Sequence, residues 1–191
     1  MDKRLNTPEK LSAYMSKNIK YGYVRNDGTK KTGIDNSMHH TYRLQTPQQV
    51  YDNNIGVCWD QVEFERFIFS NVIKLPFKTY YIEQRNLDHV SHTFLIYQKR
   101  NSYYLFENSF EKIRGIYKFE SIMEALLFER KNMKEQADDK GVACFEYGTP
   151  RYGTGVIEFI THCTSGRQIL LPAENTLNTD EKLPIQFDYG T

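Results

Sequence analysis

The chain has 191 residues and a mass of 22.6 kDa, with 25 Lys+Arg against 24 Asp+Glu and a formal net charge of +1. Hydrophobic residues make up 39% of it, which supports one domain with a sizeable core and excludes disorder as the overall state. The balanced charge, the short apolar runs and the polar start argue against nucleic acid, a membrane or secretion.

Hydrophobic spacing and capping residues predict an element order of grouped helices and strands. We expect helices beginning at Thr7 and Thr46, with an extended piece at 21–24 and a polar loop at 25–42 between them. A helix over 57–71 follows, and then strands at 77–84, 92–98 and 103–107. The last predicted elements are a helix over 119–138, a strand at 142–147 and a helix over 156–163. Because helices and strands do not alternate, the predicted class is α+β.

The predicted organisation is a single domain over residues 1–172, followed by a polar C-terminal tail at 173–191. The Arg100-Asn101 turn between two strand-like runs predicts an antiparallel hairpin. No internal repeat or linker divides the chain, and the sequence does not predict an oligomeric state.

Cys58 stands where a glycine break gives way to a helical pattern, and the other two cysteines, Cys144 and Cys163, lie in apolar runs typical of a core. An odd, sparse set of cysteines is no disulfide framework and predicts a reducing, cytoplasmic location. The first turn of a helix favours a thiolate and offers N–H groups to an oxyanion. We therefore predict Cys58 as a nucleophile, with Gly56 and Trp59 near the site, where Gly56 lets a substrate approach the backbone.

His92 opens an apolar strand, where its ring can face a helix terminus and exchange a proton with a thiol. Its competitor is His89, which falls in a polar turn three residues earlier. The hairpin brings 107–108 back beside His92, so Glu107 or Asn108 can accept the imidazole N–H and fix its tautomer. Neighbouring strand residues face opposite sides, and the sequence alone does not say which of the two faces the site.

A thiol at a helix start, a histidine opening a strand and an orienting residue ending the next strand resemble the triad order of papain-like and transglutaminase-like folds. The Gly-Val-Cys-Trp stretch at 56–59 is similar to the nucleophile motif of both. Papain-type enzymes place their histidine about 130–150 residues after the cysteine, whereas here Cys58 and His92 are 34 residues apart and Asn108 follows 16 residues later. The spacing therefore resembles the transglutaminase-like superfamily, over a core at about 46–110.

That resemblance implies a Cys-bearing helix packed on an antiparallel sheet, and a triad of Cys58, His92 and Asn108 with Glu107 as the alternative orienting residue. The superfamily usually has Asp at the third position, and this chain has Glu107-Asn108 instead. The implied activity is acyl transfer on an amide of a peptide or protein substrate, giving hydrolysis with water or cross-linking with an amine. The alternative is a catalytically idle domain of this fold that binds a peptide or a protein.

The sequence predicts no metal and no cofactor. There is no Cys-x-x-Cys pair, and the His39-His40 and His162-Cys163 pairs are adjacent, so their side chains diverge on regular structure. The glycines at 153 and 155 lack the lysine of a phosphate loop. The many Tyr and Phe residues are expected mainly in the core.

Overall fold

The computed structural model describes residues 3–84, 90–134, 141–172 and 185–186. The first half contains α1 (Pro8–Asn18), β1 (Lys20–Val24), β2 (Lys30–Thr32), α2 (Met38–Thr41), α3 (Pro47–Asn53), β3 (Ile55–Gly56), α4 (Cys58–Ile68) with a π-helical extension (Phe69–Ile73), and β4 (Phe77–Gln84). The second half contains β5 (Ser91–Lys99), β6 (Ser102–Glu107), a 3-10 turn (Glu111–Ile113), β7 (Gly115–Phe119), α5 (Ile122–Lys134), β8 (Val142–Tyr147), α6 (Val156–Thr164), β9 (Arg167–Ile169) and β10 (Ile185–Gln186). The predicted α+β class is confirmed.

The first helices begin at the predicted capping residues. The Thr7 hydroxyl accepts a hydrogen bond from the Lys10 N–H at 3.3 Å, and Pro8 fills the first turn of α1. At α3, Thr46 and Gln49 form a reciprocal capping box, with hydrogen bonds of 3.2 and 2.8 Å. These local contacts explain why both helix starts could be read from the sequence.

A seven-stranded antiparallel sheet forms the centre of the fold, in the strand order β10-β7-β6-β5-β4-β8-β9. Side chains of β5 alternate between its two faces: Leu95 packs in one cluster with Phe64 of α4, while Ile96 packs in another with Leu126 of α5. Helices α4 and α5 therefore cover opposite faces of the sheet. A smaller sheet, in the order β2-β1-β3, lies apart from it.

The structure corrects several predicted boundaries. The helix predicted over 57–71 ends as an α-helix at Ile68 and continues as a π-helix, and the helix predicted from 119 begins at Ile122, because Phe119 is paired with Tyr103 in the sheet. The loop predicted over 25–42 contains β2 and α2. Two residues of the predicted tail, Ile185–Gln186, pair with β7, and the rest of 173–191 lies outside the described residues. Within the described ranges, none of the helices has both the length and the apolar character needed to cross a bilayer.

Candidate functional site

Cys58 is the first residue of α4, as predicted. Asn54 ends α3 in the left-handed conformation (φ 55°), and the two residues of β3 then pair in parallel with β1, which fixes where α4 begins. The Val57 N–H donates to the Asp60 carboxylate at 3.1 Å and caps the helix start. Cys58 is only 5% exposed, so its thiol, in the first turn of α4, has little contact with solvent.

The Asp60 carboxylate is a buried anchor for this helix start. Its Oδ1 accepts hydrogen bonds from the Tyr42 hydroxyl and the Gln45 N–H, each at 2.9 Å. Burial raises the Asp60 pKa to about 6, against the opposing effect of these donors. A Cβ at Gly56 would meet the Asp60 Cβ at 2.8 Å. The glycine is thus needed for the approach of Asp60, while its predicted role in letting a substrate approach the backbone stays a prediction.

His92 and Glu107 form a buried pair. The His92 Nε2 lies 2.7 Å from the Glu107 Oε2, and the two residues are 7% and 1% exposed. The second oxygen of Glu107 accepts from the Phe110 N–H at 2.7 Å, which holds the carboxylate in place. The His92 ring stacks on Phe94 and meets the Phe110 ring edge-on. The imidazole is therefore held by two aromatic rings and at one nitrogen.

Cys58 completes this contact chain. Burial by itself lowers the His92 pKa, but the Glu107 carboxylate and a hydrogen bond with the Cys58 side chain outweigh it, so that the His92 pKa lies well above its ordinary value. The imidazole therefore lies between the Cys58 thiol and the Glu107 carboxylate. The arrangement favours an imidazolium beside the sulfur at neutral pH.

The structure places Asn108 away from His92, which corrects its predicted position in the triad. Its Nδ2 donates to the Gln61 Oε1 of α4 at 2.7 Å, and its Oδ1 accepts from the Ser16 hydroxyl of α1 at 3.2 Å. Adjacent residues at a strand end face opposite sides, so only one of the two candidates can reach the imidazole. That residue is Glu107, the alternative considered from the sequence. His89, the other histidine considered, lies outside the described residues.

Tyr21 is a site residue that the sequence did not suggest. Burial raises the pKa of its phenol, and the Cys58 side chain contributes both as a charge and as a hydrogen-bond partner. Tyr21 pairs in register with Gly56 through the parallel β1–β3 contact, which brings its side chain to the start of α4. Tyr21 and Gly56 are 35 positions apart in the chain, and strand pairing over that distance gives no local signal in the sequence.

Trp59, which was predicted near the site, and the other two cysteines are packing residues. Trp59 stacks on Phe159 at 4.6 Å and meets Tyr42 edge-on, and its indole N–H has no hydrogen-bond partner among the described residues. Cys144 and Cys163 are fully buried, and burial raises the pKa of Cys144 to about 12 and raises that of Cys163 as well. Both are held as thiols in the core, as the sequence indicated.

Two further carboxyls surround the His92–Glu107 pair. Glu65 of α4 is buried and has a pKa raised by burial and by Glu107, while Glu129 of α5 is fully buried. One ligand atom each from His92, Glu107 and Glu129 lies within 4.8 Å of the others, so these three groups could hold a metal ion. The ligand atoms of a tetrahedral zinc ion lie about 3.3 Å apart. The His92–Glu107 contact is shorter, at 2.7 Å, and has hydrogen-bond length, so these two side chains bond to each other directly.

A surface cavity of about 530 Å³ lies elsewhere, lined by the loop at 151–155 together with Arg43 and Glu158. Its charged lining has both signs, and none of the predicted site residues contributes to it. The cavity is therefore separate from the Cys58 site.

No known protein family matches the chain, and no curated protein matches it either. The resemblance to the transglutaminase-like superfamily thus stays a prediction that rests on motif order and spacing. The feature of the structure that bears on the function of this site is the contact chain of Cys58, His92 and Glu107.

Proposed function

We propose that the protein is a thiol-dependent acyl-transfer enzyme with a transglutaminase-like core, acting on an amide of a peptide or protein. The observation that carries the proposal is the buried His92–Glu107 pair, 2.7 Å between nitrogen and oxygen, in contact with a cysteine at a helix start. Cys58 is the nucleophile, His92 exchanges the proton and Glu107 orients and charge-balances His92. A carboxylate offsets the imidazolium charge, which a neutral amide such as Asn108 cannot do.

The chemistry follows from the protonation state that the site favours. The Cys58 sulfur attacks the carbonyl carbon, and the developing oxyanion meets the Cys58 N–H at the helix start. The C–N bond then breaks as the imidazolium of His92 gives its proton to the leaving amine or ammonia, which leaves a thioester. Water, or an amine acceptor, next loses a proton to His92 as it attacks the thioester, and the thiolate departs. Water gives hydrolysis, and an amine gives cross-linking.

Iodoacetamide labelling followed by peptide mass spectrometry tests the proposal directly. At pH 7 we expect Cys58 to be labelled well ahead of Cys144 and Cys163, because burial keeps the latter two as thiols. His92→Ala should slow the labelling of Cys58 at least tenfold, since the imidazolium no longer stabilises the thiolate. The exposed His39 offers a matched control: His39→Ala should label like the wild type.

Labelling of Cys58 that is absent, or equal with and without His92, contradicts the proposal and favours the idle binding domain. If the thiol is activated, a glutaminyl peptide separates the two reactions: ammonia release alone indicates hydrolysis, while incorporation of a labelled primary amine indicates cross-linking. Both products must disappear in Cys58→Ala.

A further inference from the structure

Helix α5 carries a buried carboxyl toward the His92–Glu107 pair. Glu129 is 0% exposed, and its ligand atom lies within 4.8 Å of those of His92 and Glu107. The Phe94 ring under His92 belongs to the same cluster as Ala125 and Leu126 of α5, which places this helix against the pair. The mechanism above does not use Glu129.

Neither oxygen of Glu129 has a hydrogen-bond partner among the described residues. A fully buried, unpartnered carboxylate is costly unless it is protonated or lies near a positive charge. Burial and then the Glu107 carboxylate raise the Glu129 pKa to about 8, and His92 opposes them. Glu129 therefore holds a proton at neutral pH and ionises just above it.

Several titratable groups face this region from the elements around it. These groups are His92 of β5, Glu107 of β6, Tyr117 of β7, Cys144 of β8, and Cys58 and Glu65 of α4. Within this set, only His92 can carry a positive charge. Arg130, next to Glu129 on α5, donates instead to the Pro172 carbonyl. The favourable charge interaction of ionised Glu129 is therefore with the imidazolium.

We propose that Glu129 is a positioning residue of the Cys58 site, whose buried carboxyl within 4.8 Å of His92 and Glu107 acts through the charge of His92. The inference rests on the proposed function, in which this imidazolium stabilises the thiolate. As the pH rises, Glu107 alone would let His92 lose its proton earlier. A second carboxylate within 4.8 Å delays that loss and extends the range over which the thiolate–imidazolium pair persists.

The direct test is a nitrogen-15 NMR titration of the histidine rings in the full chain, with EDTA present so that no trace metal occupies the cluster. We compare the wild type with Glu129→Gln and Glu129→Met, two neutral side chains of similar length. Both should lower the His92 pKa by about one unit, the size expected when one charge at this distance is removed. Glu124→Gln, which removes an exposed charge from the same helix, should leave the His92 pKa unchanged.

The labelling of Cys58 gives a second measurement. Glu129→Gln should match the wild type at pH 7, where Glu129 is protonated, and fall at least threefold below it at pH 9. A His92 pKa that stays at the wild-type value in both neutral variants overturns the inference. The titration is read on His92 and not on Cys58, so a lowered His92 pKa in a protein whose Cys58 is not activated would support the role of Glu129 while contradicting the proposed enzyme.

Discussion

Two buried polar groupings lie on helix α4, and they differ in how their charges balance. One is the Cys58 site, where His92 faces the carboxyls of Glu107, Glu65 and Glu129. The other is the ion pair of Glu63 and Arg66, with 2.9 Å between the guanidinium Nε and the carboxylate. Arg66 also lies over the Tyr147 ring and donates to the Gly148 carbonyl.

The comparison separates structural from chemical uses of a buried charge. Arg66 is always charged, so Glu63 keeps a permanent positive partner at every physiological pH, although burial raises the Glu63 pKa to about 7. The positive charge of the Cys58 site is an imidazole that can give its proton away. A surplus of buried acid around one titratable base suits proton transfer, whereas a permanent cation suits the anchoring of a helix to a sheet.

Removal of the permanent cation should have the largest effect. Arg66→Ala leaves Glu63 buried without its partner, and we expect a loss of about 3–5 kcal/mol in the free energy of unfolding, measured by urea denaturation. The double variant Glu63→Gln with Arg66→Met should recover most of this loss. Folded Arg66→Ala protein should still label at Cys58 like the wild type, and slower labelling would mean that the two groupings are not independent.

Removal of the orienting carboxylate should act on the chemistry instead. Glu107→Ala frees the His92 ring and removes the charge that stabilises its imidazolium, so we expect the rate of Cys58 labelling at pH 7 to fall about 100-fold. Asn108→Ala is the matched control, because Asn108 bonds to Gln61 and Ser16. It should change the rate less than threefold. The reverse ranking would return Asn108 to the triad.

The smallest effect is expected in the pH dependence of stability. The Glu129 pKa is about 8 in the folded chain against an ordinary 4.5, so the folded state binds the proton more tightly and wild-type stability falls as the pH rises from about 4.5 to 8. Glu129→Gln lacks this loss. Its free energy of unfolding, relative to wild type, should rise by about 2 kcal/mol between pH 5 and pH 6.5. A constant difference would show that Glu129 does not titrate in this range.

Much of the fold could be predicted from local sequence patterns. Both capped helix starts, the strands at 77–84 and 142–147 and the hairpin turn depend on residues close together in the chain, and the structure has them where the sequence predicted them. Cys58 at a helix start and His92 near a strand start were predicted for the same reason. The catalytic roles of these residues remain predictions.

Features that depend on tertiary contacts were not predictable in this way. The choice between Glu107 and Asn108 depends on which face of β6 meets α4, and the hairpin sequence is compatible with either. The short strands β3 and β9 exist through their pairing partners and have no pattern of their own. In the sequence, Glu129 looks like any other charged residue of a helix. It is buried only because α5 packs on the sheet.

The parallel contact between Tyr21 and Gly56 has a consequence for how this protein can be cut or transplanted. Every motif that suggested the chemistry falls between residues 46 and 110, yet one side of the thiol is supplied by a strand that ends before that stretch begins. A fragment limited to the motifs would keep Cys58, His92 and Glu107 and lose both Tyr21 and the strand that fixes the start of α4. The smallest portable unit of this site therefore begins upstream of Lys20, well before its first recognisable motif.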